Sequence, residues 1–456
     1  MTLRTHCREG EAGYDVLMNR TTGDTLGSLT VSLKLYQLKK QAKEHPGRVF
    51  TTLHHLIDID FLYEAYRCTR KDAAPGADTV TAEQYAENLA SNLESLYTRY
   101  REGSYVAPLV KRVWIGKDDG GQRPLGIPSF EDKILQRAVV MLLGAIYEMD
   151  FYDFSYGFRE KRSAHDALLT VRDRCFKDKV ETIIDADVSK FFDHMQHDCL
   201  REILKQRIND GKILRLIGKW LNAGVVEEGQ VVYPSCGSPQ GGVISPILAN
   251  IYLHHVLDEW YIKQVEPRLK GKSFLVRFAD DFILGCERKE DAERLFEVLP
   301  KRFERFGLTV HPEKSQTIRF KRPSRFESKS QAGTFDFLGF THYWGLSRNG
   351  HWVIKRQTMR KRQAKAMRNL YLYCRIHRHD SVREQYAKLK STLWGLYGYY
   401  GIRGNYRALW MIYLHAQKAW RKWLGRRTRD GYISWEKFRR FLSVWTLPMP
   451  KISKQV

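Results

Sequence analysis

Two adjacent aspartates, Asp280 and Asp281, stand in the middle of an apolar stretch. They follow Val276-Arg277-Phe278 and precede Phe282-Ile283-Leu284, a pattern that predicts two short strands joined by a hairpin tip. Adjacent carboxylates repel each other and apolar flanks make their charge more costly, so such a pair is expected chiefly where a divalent cation neutralises it. Asp-Asp pairs are also common in exposed turns, and it is the apolar frame that favours a functional site here.

A third carboxylate, Asp187, ends another apolar run over residues 180–188, which is predicted to be a strand. Three carboxylates that converge from two strands could hold two Mg2+ ions about 3.5–4 Å apart, one activating a 3′-hydroxyl and both clamping the transferring phosphate. That chemistry is nucleotidyl transfer. Asp185 lies two residues earlier on the same strand face, so spacing alone does not decide between Asp185 and Asp187.

The surrounding sequence alternates between helical and strand patterns. Helical spacing is found near 33–43 and over 60–67 and 81–97, and Ser129 begins a capping-box pattern ahead of an amphipathic helix. Ser245-Pro246 has the pattern of an N-cap followed by proline at the first helical position. After Trp344 the pattern becomes almost wholly helical, over 357–374, 381–397, 406–424 and 434–442. The sequence therefore predicts a mixed α/β body followed by an α-helical region.

Positive charge is concentrated in that helical region. From Gly345 to Val456 there are 26 Lys and Arg residues but only 4 Asp and Glu residues, so this segment carries +22 of the formal net charge of +24. Seven of the eleven tryptophans lie in the same segment, whereas disordered tails lack aromatic residues. We therefore expect a folded helical module that binds nucleic acid rather than a solvated basic tail.

Composition excludes several classes of protein. With 456 residues, 43% of them apolar, the chain can form two or three hydrophobic cores and is not wholly disordered. No stretch approaches ~18 uninterrupted apolar residues, and no apolar run follows the N-terminal charges, so we expect neither a membrane span nor a secretion signal. The seven cysteines are scattered, without a C-x-x-C pair, which argues against a zinc ribbon or a disulfide framework and favours the cytoplasm.

Six motifs, in order along the chain, resemble those of reverse transcriptases of the group II intron-encoded type. They are Arg123-Pro124-Leu125-Gly126-Ile127-Pro128, Asp187-Val188-Ser189-Lys190-Phe191-Phe192-Asp193, Gly237-Ser238-Pro239-Gln240-Gly241-Gly242 with Ser245-Pro246, Phe278-Ala279-Asp280-Asp281, Pro312-Glu313-Lys314 and Phe337-Leu338-Gly339-Phe340. Trp394-Gly395-Leu396-Tyr397 and Trp420-Arg421-Lys422-Trp423 resemble the basic maturase segment that follows the polymerase in this family. The resemblance extends from roughly Phe61 to Ile452.

The resemblance implies a fold and a domain order. The fold would be an α/β right-hand polymerase, with fingers and palm, followed by an all-α basic thumb and maturase region. We expect an N-terminal extension over 1–50, fingers and palm over 51–345, a helical thumb over 346–405, and a basic C-terminal maturase or DNA-binding segment over 406–456.

The resemblance also implies the catalytic residues. Asp187, Asp280 and Asp281 would be the catalytic carboxylates and would bind two Mg2+ ions, with the backbone carbonyl of Val188 as a further ligand. The position in the motif selects Asp187 over Asp185.

Five further residues would contact the incoming nucleotide. Lys117 and Arg123 match the fingers cations that neutralise a triphosphate. Phe192 matches the bulky side chain that excludes a 2′-hydroxyl, although an ordinary core phenylalanine is the alternative. Gln240 matches a residue that contacts the nucleotide, and Lys314 is expected either to protonate the leaving pyrophosphate or to be merely solvated.

Basic clusters in the C-terminal region are expected to bind RNA phosphates. The densest comprise Arg360, Lys361, Arg362, Arg426, Arg427, Arg439 and Arg440. Each is expected to be a general phosphate contact rather than a determinant of sequence. Leu389, Leu393 and Leu396 are expected in the thumb core, and Tyr399-Tyr400 fits either role.

The chain departs from the family pattern in two ways that bear on activity. Phe278 stands where tyrosine is usual, and because the aromatic body is kept, polymerisation is expected to survive. Neither cysteine pairs nor a His-Asn-His cluster follow Lys451, so we expect no endonuclease domain and a primer from another source.

The function implied is that of an RNA-directed DNA polymerase encoded by a group II intron. It would copy an RNA template from a DNA primer or target with deoxynucleoside triphosphates, and would bind intron RNA to assist splicing and mobility. A domesticated or defence reverse transcriptase would keep the same motifs. A splicing factor without polymerase activity would be signalled by a lost carboxylate, and Phe192 disfavours an RNA-dependent RNA polymerase.

Overall fold

The structure is a computed structural model that describes residues 22–116, 121–234, 236–238, 241–324, 332–428 and 431–454. A mixed α/β body extends to Thr358 and is followed by four helices. The predicted order of a mixed body and a helical C-terminal region is thus confirmed. No helix within these ranges combines the length and the apolar composition needed to cross a bilayer.

The body begins with helices. These are α1 (Thr22–Glu44), α2 (Ile59–Arg67), α3 (Ala82–Glu87), α4 (Leu89–Glu102) and α5 (Phe130–Tyr147). The Ser129 side chain accepts a hydrogen bond from the backbone N–H of Asp132, so α5 begins at its predicted cap. The single helix expected over 81–97 is instead two helices, because the backbone at Asn88 is not helical. Val31 and Leu38 of α1 are buried in the same core as α5.

The first sheet holds the hairpin of the R-P-L-G-I-P motif. Its strands are β1 (Val110–Gly116), β2 (Gln122–Ile127), β5 (Val225–Glu227) and β6 (Gln230–Val232), in the order β2-β1-β5-β6. β1 and β2 are antiparallel, and Ile115 pairs with Arg123, next to the terminal pair Gly116↔Gln122.

The central sheet carries the predicted site. Its strands are β3 (Thr182–Ala186), β7 (Ser273–Phe278), β8 (Asp281–Cys286) and β10 (Gln316–Arg319), in the order β10-β3-β8-β7. Successive side chains of a strand point to opposite faces. Ile184 and Phe282 accordingly enter the main core, whereas Ile183 and Ile283 enter a second core on the other face. The strands predicted on either side of Asp280-Asp281 and before Asp187 are confirmed.

Shorter elements and helices surround this sheet. They are α6 (Ala164–Lys177), β4 (Val188–Ser189), α7 (Phe191–His194), α8 (His197–Lys205), α9 (Gly211–Leu221), α10 (Ser245–Leu253), α11 (Lys289–Glu304) and β9 (Thr309–Val310). Two π-helical turns, His254–Asp258 and Tyr261–Val265, follow α10. Turns of this type are rare and often occur at functional sites.

The third sheet corrects the expectation that the chain turns helical directly after Trp344. It consists of β11 (Phe335–Phe337), β12 (Phe340–Leu346) and β13 (Trp352–Thr358). β13 pairs along its whole length with β12, from Leu346↔Trp352 to Phe340↔Thr358. Ile354, Arg356 and Thr358 alternate inward as a strand requires. Because one of these inward residues is an arginine, the apolar alternation was not visible in the sequence.

The C-terminal helices form a unit with its own core, which we call the C-terminal module (residues 360–454). They are α12 (Arg360–Ile376), α13 (Val382–Tyr400), α14 (Tyr406–Leu424) and α15 (Trp435–Val444). Leu389 and Leu393 are buried in this core and Leu396 packs against it, as predicted. Trp420 is fully buried and its Nε1 donates to Gln385 Oε1 at 2.8 Å. The basic segment is therefore a folded module, as its aromatic content predicted.

Candidate active site

The two adjacent aspartates lie where β7 turns into β8, as the hairpin pattern predicted. Phe278 pairs with Asp281 across the hairpin, so only Ala279 and Asp280 form the connection. We call residues 278–281 the aspartate turn. Ala279 has a φ of 58°, in the left-handed region that costs a residue with a side chain roughly 1–2 kcal/mol. The surrounding structure must therefore stabilise this turn.

β3 places Asp187 beside the aspartate turn. β3 and β8 are antiparallel and their last pair is Ala186↔Phe282, so the next residues, Asp187 and Asp281, leave the same end of the sheet as neighbours. The Asp187 carbonyl accepts from the His311 N–H at 2.7 Å, and the Asp187 N–H donates to Ser315 Oγ at 3.1 Å. The main chain at Asp187 is thus fixed, while 42% of its side chain stays exposed.

The carboxylates at this end of the sheet disfavour one another's charge. Removal from bulk water is the main cause that raises the pKa of Asp281, to about 7, and the charges of Asp280, Asp187 and Asp185 raise it further. Burial also raises the pKa of Asp280, against the opposing effect of Arg123. Burial, more than its charged neighbours, raises the pKa of Asp185 to about 6. Asp281 is surrounded by protein atoms but keeps an exposed surface, so the group remains open to solvent.

The type of donor at this end of the sheet fits a hard divalent cation. Carboxylate oxygens are preferred ligands of Mg2+, and a cation would remove the repulsion that raises the pKa of Asp281. Val188, the predicted carbonyl ligand, is buried and pairs with Val310. Within the described ranges, no three His, Cys, Asp or Glu side chains are close enough together to hold a metal ion. The chemical type of these side chains and the placement of their main chain therefore suit a divalent cation. The side chains themselves are not in coordinating positions.

A buried arginine that the sequence analysis did not single out supports the aspartate turn. Arg277 is fully buried, and its guanidinium forms a two-pronged ion pair with Asp258, which is also fully buried (Nε–Oδ1 2.8 Å and Nη2–Oδ2 2.5 Å). Its Nη1 donates to Asn250 Oδ1 at 3.0 Å and to the carbonyl of Ala279 at 3.1 Å. Arg277 thus ties the left-handed residue of the turn to α10 and to the π-helical turn after it. The available signal was a lone charge within an apolar strand, which requires a buried partner.

The Tyr156-Gly157-Phe158 segment supports the same turn from a second direction. Asn250 Nδ2 donates to the Gly157 carbonyl at 2.7 Å, and the Tyr156 N–H donates to the Arg277 carbonyl at 2.8 Å. A Cβ atom added to Gly157 would lie 2.2 Å from the backbone nitrogen of Ala279. Only glycine permits this approach of the two main chains.

Two of the predicted nucleotide contacts, Lys314 and Arg123, act on the carboxylates. Lys314 Nζ is 3.6 Å from Asp187 Oδ2, and 58% of its side chain is exposed. Arg123 is exposed on β2, and its charge lowers the pKa of Asp280. Phe192 is half-buried and packs edge-on against the buried Phe191, with ring centroids 5.3 Å apart. Lys117 and Gln240 lie outside the described residues.

The loop of the G-x-P-Q-G motif is held against Phe192. The Ser238 N–H donates to the Phe192 carbonyl at 2.7 Å, and Gly237 has a φ of 86° with no room for a Cβ beside that carbonyl. The Ser238 hydroxyl donates to the Ser245 hydroxyl at 2.7 Å. Ser245 was predicted to be the N-cap of α10 but is its first residue, and Ile244 occupies the cap position. The Ser245 hydroxyl instead accepts the hydrogen bond from this loop.

Three cations lie at the start of α12, and one of them acts on the candidate active site. Arg360, Lys361 and Arg362 are all exposed. Arg362 is close enough to lower the pKa of Asp281. The Tyr399 hydroxyl donates to the Leu338 carbonyl at 2.8 Å, and Tyr400 packs against Phe340. The C-terminal module therefore contacts the F-L-G-F loop, and its first helix brings positive charge towards the carboxylates.

The remaining predicted RNA contacts have different surroundings. Arg426 is exposed and lies 5.3 Å from the Trp423 ring centroid. Arg427 is half-buried and donates to the Asp380 carbonyl at 2.7 Å, so it is held within the module. Arg440 forms an exposed ion pair with Glu436 at 2.8 Å, and Arg439 is exposed.

Comparison with known proteins defines the class of this site. A family model described as "Reverse transcriptase (RNA-dependent DNA polymerase)" matches residues 115–342, a range that contains the aspartate turn and Asp187. Protein YkfC of Escherichia coli (strain K12) is 35% identical over 270 residues, which cover 52% of this chain and 70% of YkfC. The chain belongs to the reverse transcriptase family.

Similarity to intron-encoded relatives extends beyond the polymerase motifs. Group II intron-encoded protein LtrA of Lactococcus lactis subsp. cremoris is 28% identical over 452 residues, which cover 82% of this chain and 74% of LtrA. A putative COX1/OXI3 intron 1 protein of Saccharomyces cerevisiae is 29% identical over 320 residues, which cover 59% of this chain and 38% of that protein. The resemblance to group II intron-encoded reverse transcriptases, first seen in the motifs, is confirmed.

Proposed function

We propose that the protein is an RNA-directed DNA polymerase encoded by a group II intron, which copies RNA into cDNA and binds intron RNA to assist splicing and mobility. The observation that carries the proposal is the meeting of Asp187 with the aspartate turn at one end of the central sheet. Membership of the reverse transcriptase family supports the polymerase activity. The similarity to LtrA, over most of both chains, supports the link to an intron.

In this proposal the described elements form the fingers, palm and thumb of a right-hand polymerase. The β1–β2 hairpin with Arg123 belongs to the fingers, and the central sheet with the carboxylates is the palm. α12 and α13 form the thumb, and the rest of the C-terminal module serves as the maturase or DNA-binding segment. The contact between α13 and the F-L-G-F loop, through Tyr399 and Tyr400, supports a thumb that starts beside the palm.

Asp187, Asp280 and Asp281 would hold two Mg2+ ions, with the carbonyl of Val188 as a further ligand. When bound, such ions supply an activated 3′-hydroxyl and neutralise the charge of the transferring phosphate. The protein's own part is to hold three carboxylates that repel one another in a fixed place. The buried Arg277–Asp258 pair supports the main chain at this place by holding the Ala279 carbonyl.

Side chains around the carboxylates would bind the nucleotide and exchange a proton. Arg123, whose charge acts on Asp280, would neutralise the triphosphate together with Lys117. Phe192 would pack against the sugar and exclude a 2′-hydroxyl, and Gln240 would contact the nucleotide. Lys314, whose ammonium lies 3.6 Å from Asp187, would donate a proton to the leaving pyrophosphate.

Primer extension tests the polymerase proposal. Purified protein with Mg2+ is offered an RNA template with an annealed DNA primer, and deoxynucleotides and ribonucleotides are supplied in separate reactions. We expect extension with deoxynucleotides alone and its loss when EDTA removes the divalent cation. If the protein binds RNA but does not extend the primer, it is a splicing factor without polymerase activity. Efficient extension with ribonucleotides would indicate an RNA polymerase.

Phe192→Val tests the sugar contact in the same assay. The smaller side chain should raise ribonucleotide incorporation relative to deoxynucleotide incorporation, because it leaves room for the 2′-hydroxyl. Phe191→Leu, in the neighbouring core position, is the matched control and should leave the sugar preference unchanged. An unaltered preference in Phe192→Val would make Phe192 an ordinary packing residue.

The link to an intron is tested by splicing. A transcript of the genomic sequence around the coding region is incubated with and without the protein at low Mg2+ concentration. Protein-dependent excision of an intron supports the maturase role. Reverse transcription without any effect on splicing would instead indicate a domesticated or defence enzyme.

A further inference from the structure

A cleft on the surface of the C-terminal module is not used by the proposed polymerase reaction. Its volume is about 630 Å³. It is lined by Arg383, Tyr386, Ala387, Lys390, Ser391, Trp394 and Trp445. We call it the α13 cleft, because six of these residues lie on that helix. None of them is among the catalytic, nucleotide-binding or RNA-binding residues predicted from the sequence.

The spacing of residues on α13 creates the floor of the cleft. Residues three and four positions apart share one face of a helix, so Tyr386, Lys390 and Trp394 form one row on α13, and Arg383, Ala387 and Ser391 form the adjacent row. Ala387 and Ser391 are both exposed. The short side chains of Ala387 and Ser391 leave a slot beside the row that holds Tyr386 and Trp394, and this slot is open to solvent.

Aromatic rings form the sides of the slot. Trp394 is 62% exposed although it lies within a helix of 19 residues. Trp445, which directly follows α15, packs edge-on against Tyr386 with ring centroids 5.3 Å apart. The Tyr386 hydroxyl donates to the Thr446 carbonyl at 3.1 Å. The Tyr386–Trp445 side is therefore held in place, and the Trp394 ring presents its surface to solvent.

The charge around the slot is positive. Arg383 and Lys390 are exposed at its rim, and Lys390 Nζ lies 5.5 Å from the Tyr386 ring centroid. The nearby Glu384 is engaged in capping α13, where it accepts hydrogen bonds from the backbone and the hydroxyl of Ser381. Aromatic faces for stacking, with cations beside them, match the alternation of bases and phosphates along a nucleic acid strand.

We propose that the α13 cleft binds an unstacked base of single-stranded RNA. Trp394 and Trp445 would contact the base, and Arg383 and Lys390 would bind the flanking phosphates. The assignment to RNA rests on the proposed function. Single strands are favoured over a duplex, because the bases of a duplex are already stacked on one another, whereas bases in loops and single strands are free to stack on aromatic side chains.

A fluorescent base tests this proposal. The probe is a short single-stranded RNA with a central 2-aminopurine, whose emission falls when it stacks on an aromatic ring. The full-length protein should bind and quench this probe, and Trp394→Ala should weaken binding roughly tenfold and abolish most of the quenching. Tyr432→Ala is the matched control, since Tyr432 is 79% exposed in the same module but does not line the cleft.

Ala387→Phe is a second variant, which keeps the cations and both tryptophan rings of the cleft. Ala387 is exposed, so a larger side chain fills the slot without entering the core. It should reproduce the loss seen with Trp394→Ala. The proposal would be overturned if both variants bound the RNA probe and quenched its fluorescence as strongly as the wild-type protein does. Tighter binding of the corresponding DNA strand than of the RNA would overturn the assignment to RNA.

Primer extension separates this proposal from the proposed function. A wild-type protein that extends primers, with cleft variants that bind the RNA probe normally, would contradict the α13 cleft alone. A wild-type protein that fails to extend primers, with cleft variants that lose the probe, would support the cleft and contradict the polymerase.

Discussion

Charged residues are arranged in opposite ways at the aspartate turn and in the C-terminal module. At the turn a few charges lie close together, and their positions depend on a buried pair, Arg277 and Asp258, whose side chains are both 0% exposed. In the module many cations, such as Arg426 and Arg439, lie exposed around an apolar core. Geometry at the turn is therefore specified by single contacts, whereas attraction to a polyanion at the module is a sum over many residues. Single substitutions should act almost all-or-none at the turn and gradually at the module.

The largest effect is expected from Asp187→Asn. The substitution keeps the shape of the side chain but removes its charge, so primer extension should fall by at least roughly a thousandfold. Asp72→Asn is the matched control, because Asp72 is 72% exposed and forms its ion pair with Arg70 at the surface. Near-normal extension by Asp187→Asn would show that Asp187 is not one of the catalytic carboxylates.

A large loss of stability is expected from Arg277→Met. The change removes the guanidinium that pairs with the buried Asp258 and leaves His254, whose Nδ1 lies 3.6 Å from the carboxylate, as its neighbour. Breaking a buried ion pair costs about 3–5 kcal/mol of the free energy of unfolding. Urea denaturation measures this loss. An unchanged free energy of unfolding would mean that the turn does not depend on the buried Arg277–Asp258 ion pair. The contrast between the turn and the module would then be wrong.

The double substitution Arg277→Met with Asp258→Leu separates stability from positioning. Replacing both partners with apolar residues should recover most of the lost free energy of unfolding. Primer extension should stay impaired, because no side chain then holds the Ala279 carbonyl, which lies 3.1 Å from Arg277 Nη1 in the wild type. If both the free energy of unfolding and primer extension recovered, Arg277 would have a structural role only.

A smaller effect concerns His342, a buried titratable group in the body. The residue is fully buried, its two ring nitrogens have no partner among the described residues, and its ring stacks on Phe335 at 4.6 Å. Burial and the charge of Arg356 lower its pKa from 6.5 to about 3. Between these two pH values the unfolded state binds the extra proton, so this group's contribution to stability is lost as the pH falls below 6.5.

His342→Phe should remove this pH dependence. Between pH 7 and pH 5 the wild type should lose about 2 kcal/mol more of its free energy of unfolding than the variant. Denaturation curves at the two pH values measure the difference. Equal losses in the two proteins would show that His342 does not stay uncharged in the folded state.

The smallest effects are expected from the exposed cations of the module. Arg426→Gln should weaken RNA binding a few-fold and reduce the slope of log affinity against log salt concentration by roughly one. Arg427→Gln should instead destabilise the module, because Arg427 donates to the Asp380 carbonyl at 2.7 Å. Equal effects of the two variants on the salt slope would contradict this distinction.

Local patterns predicted much of the fold. The Ser129 cap, the strands around Asp280-Asp281 and the four C-terminal helices depend on residues close together in sequence, and they are confirmed. β13 was missed because its pairing with β12 is a tertiary contact and Arg356 replaces an apolar residue in its buried row. The break at Asn88 was missed because the helical spacing of apolar residues continues across it.

The candidate site was predictable in its residue types but not in its supports. The motifs indicated the carboxylates, yet the bonds from Arg277 to Asp258, Asn250 and Ala279 connect segments that sequence spacing cannot bring together. The effect of the Arg362 charge on Asp281 likewise depends on the placement of α12, which is distant from Asp281 in the sequence. The α13 cleft requires Trp445 from a later segment. Contacts between distant segments are set by packing and are not encoded in local periodicity.

The central claim is that nucleotidyl transfer belongs to the aspartate turn and that most RNA affinity belongs to the C-terminal module. It is tested most directly by measuring primer extension and the salt dependence of RNA binding on the same preparation of Asp280→Ala. We predict that extension is abolished while RNA affinity and its salt slope match those of the wild type. Continued extension, or a joint loss of extension and RNA affinity in a folded protein, would contradict the claim.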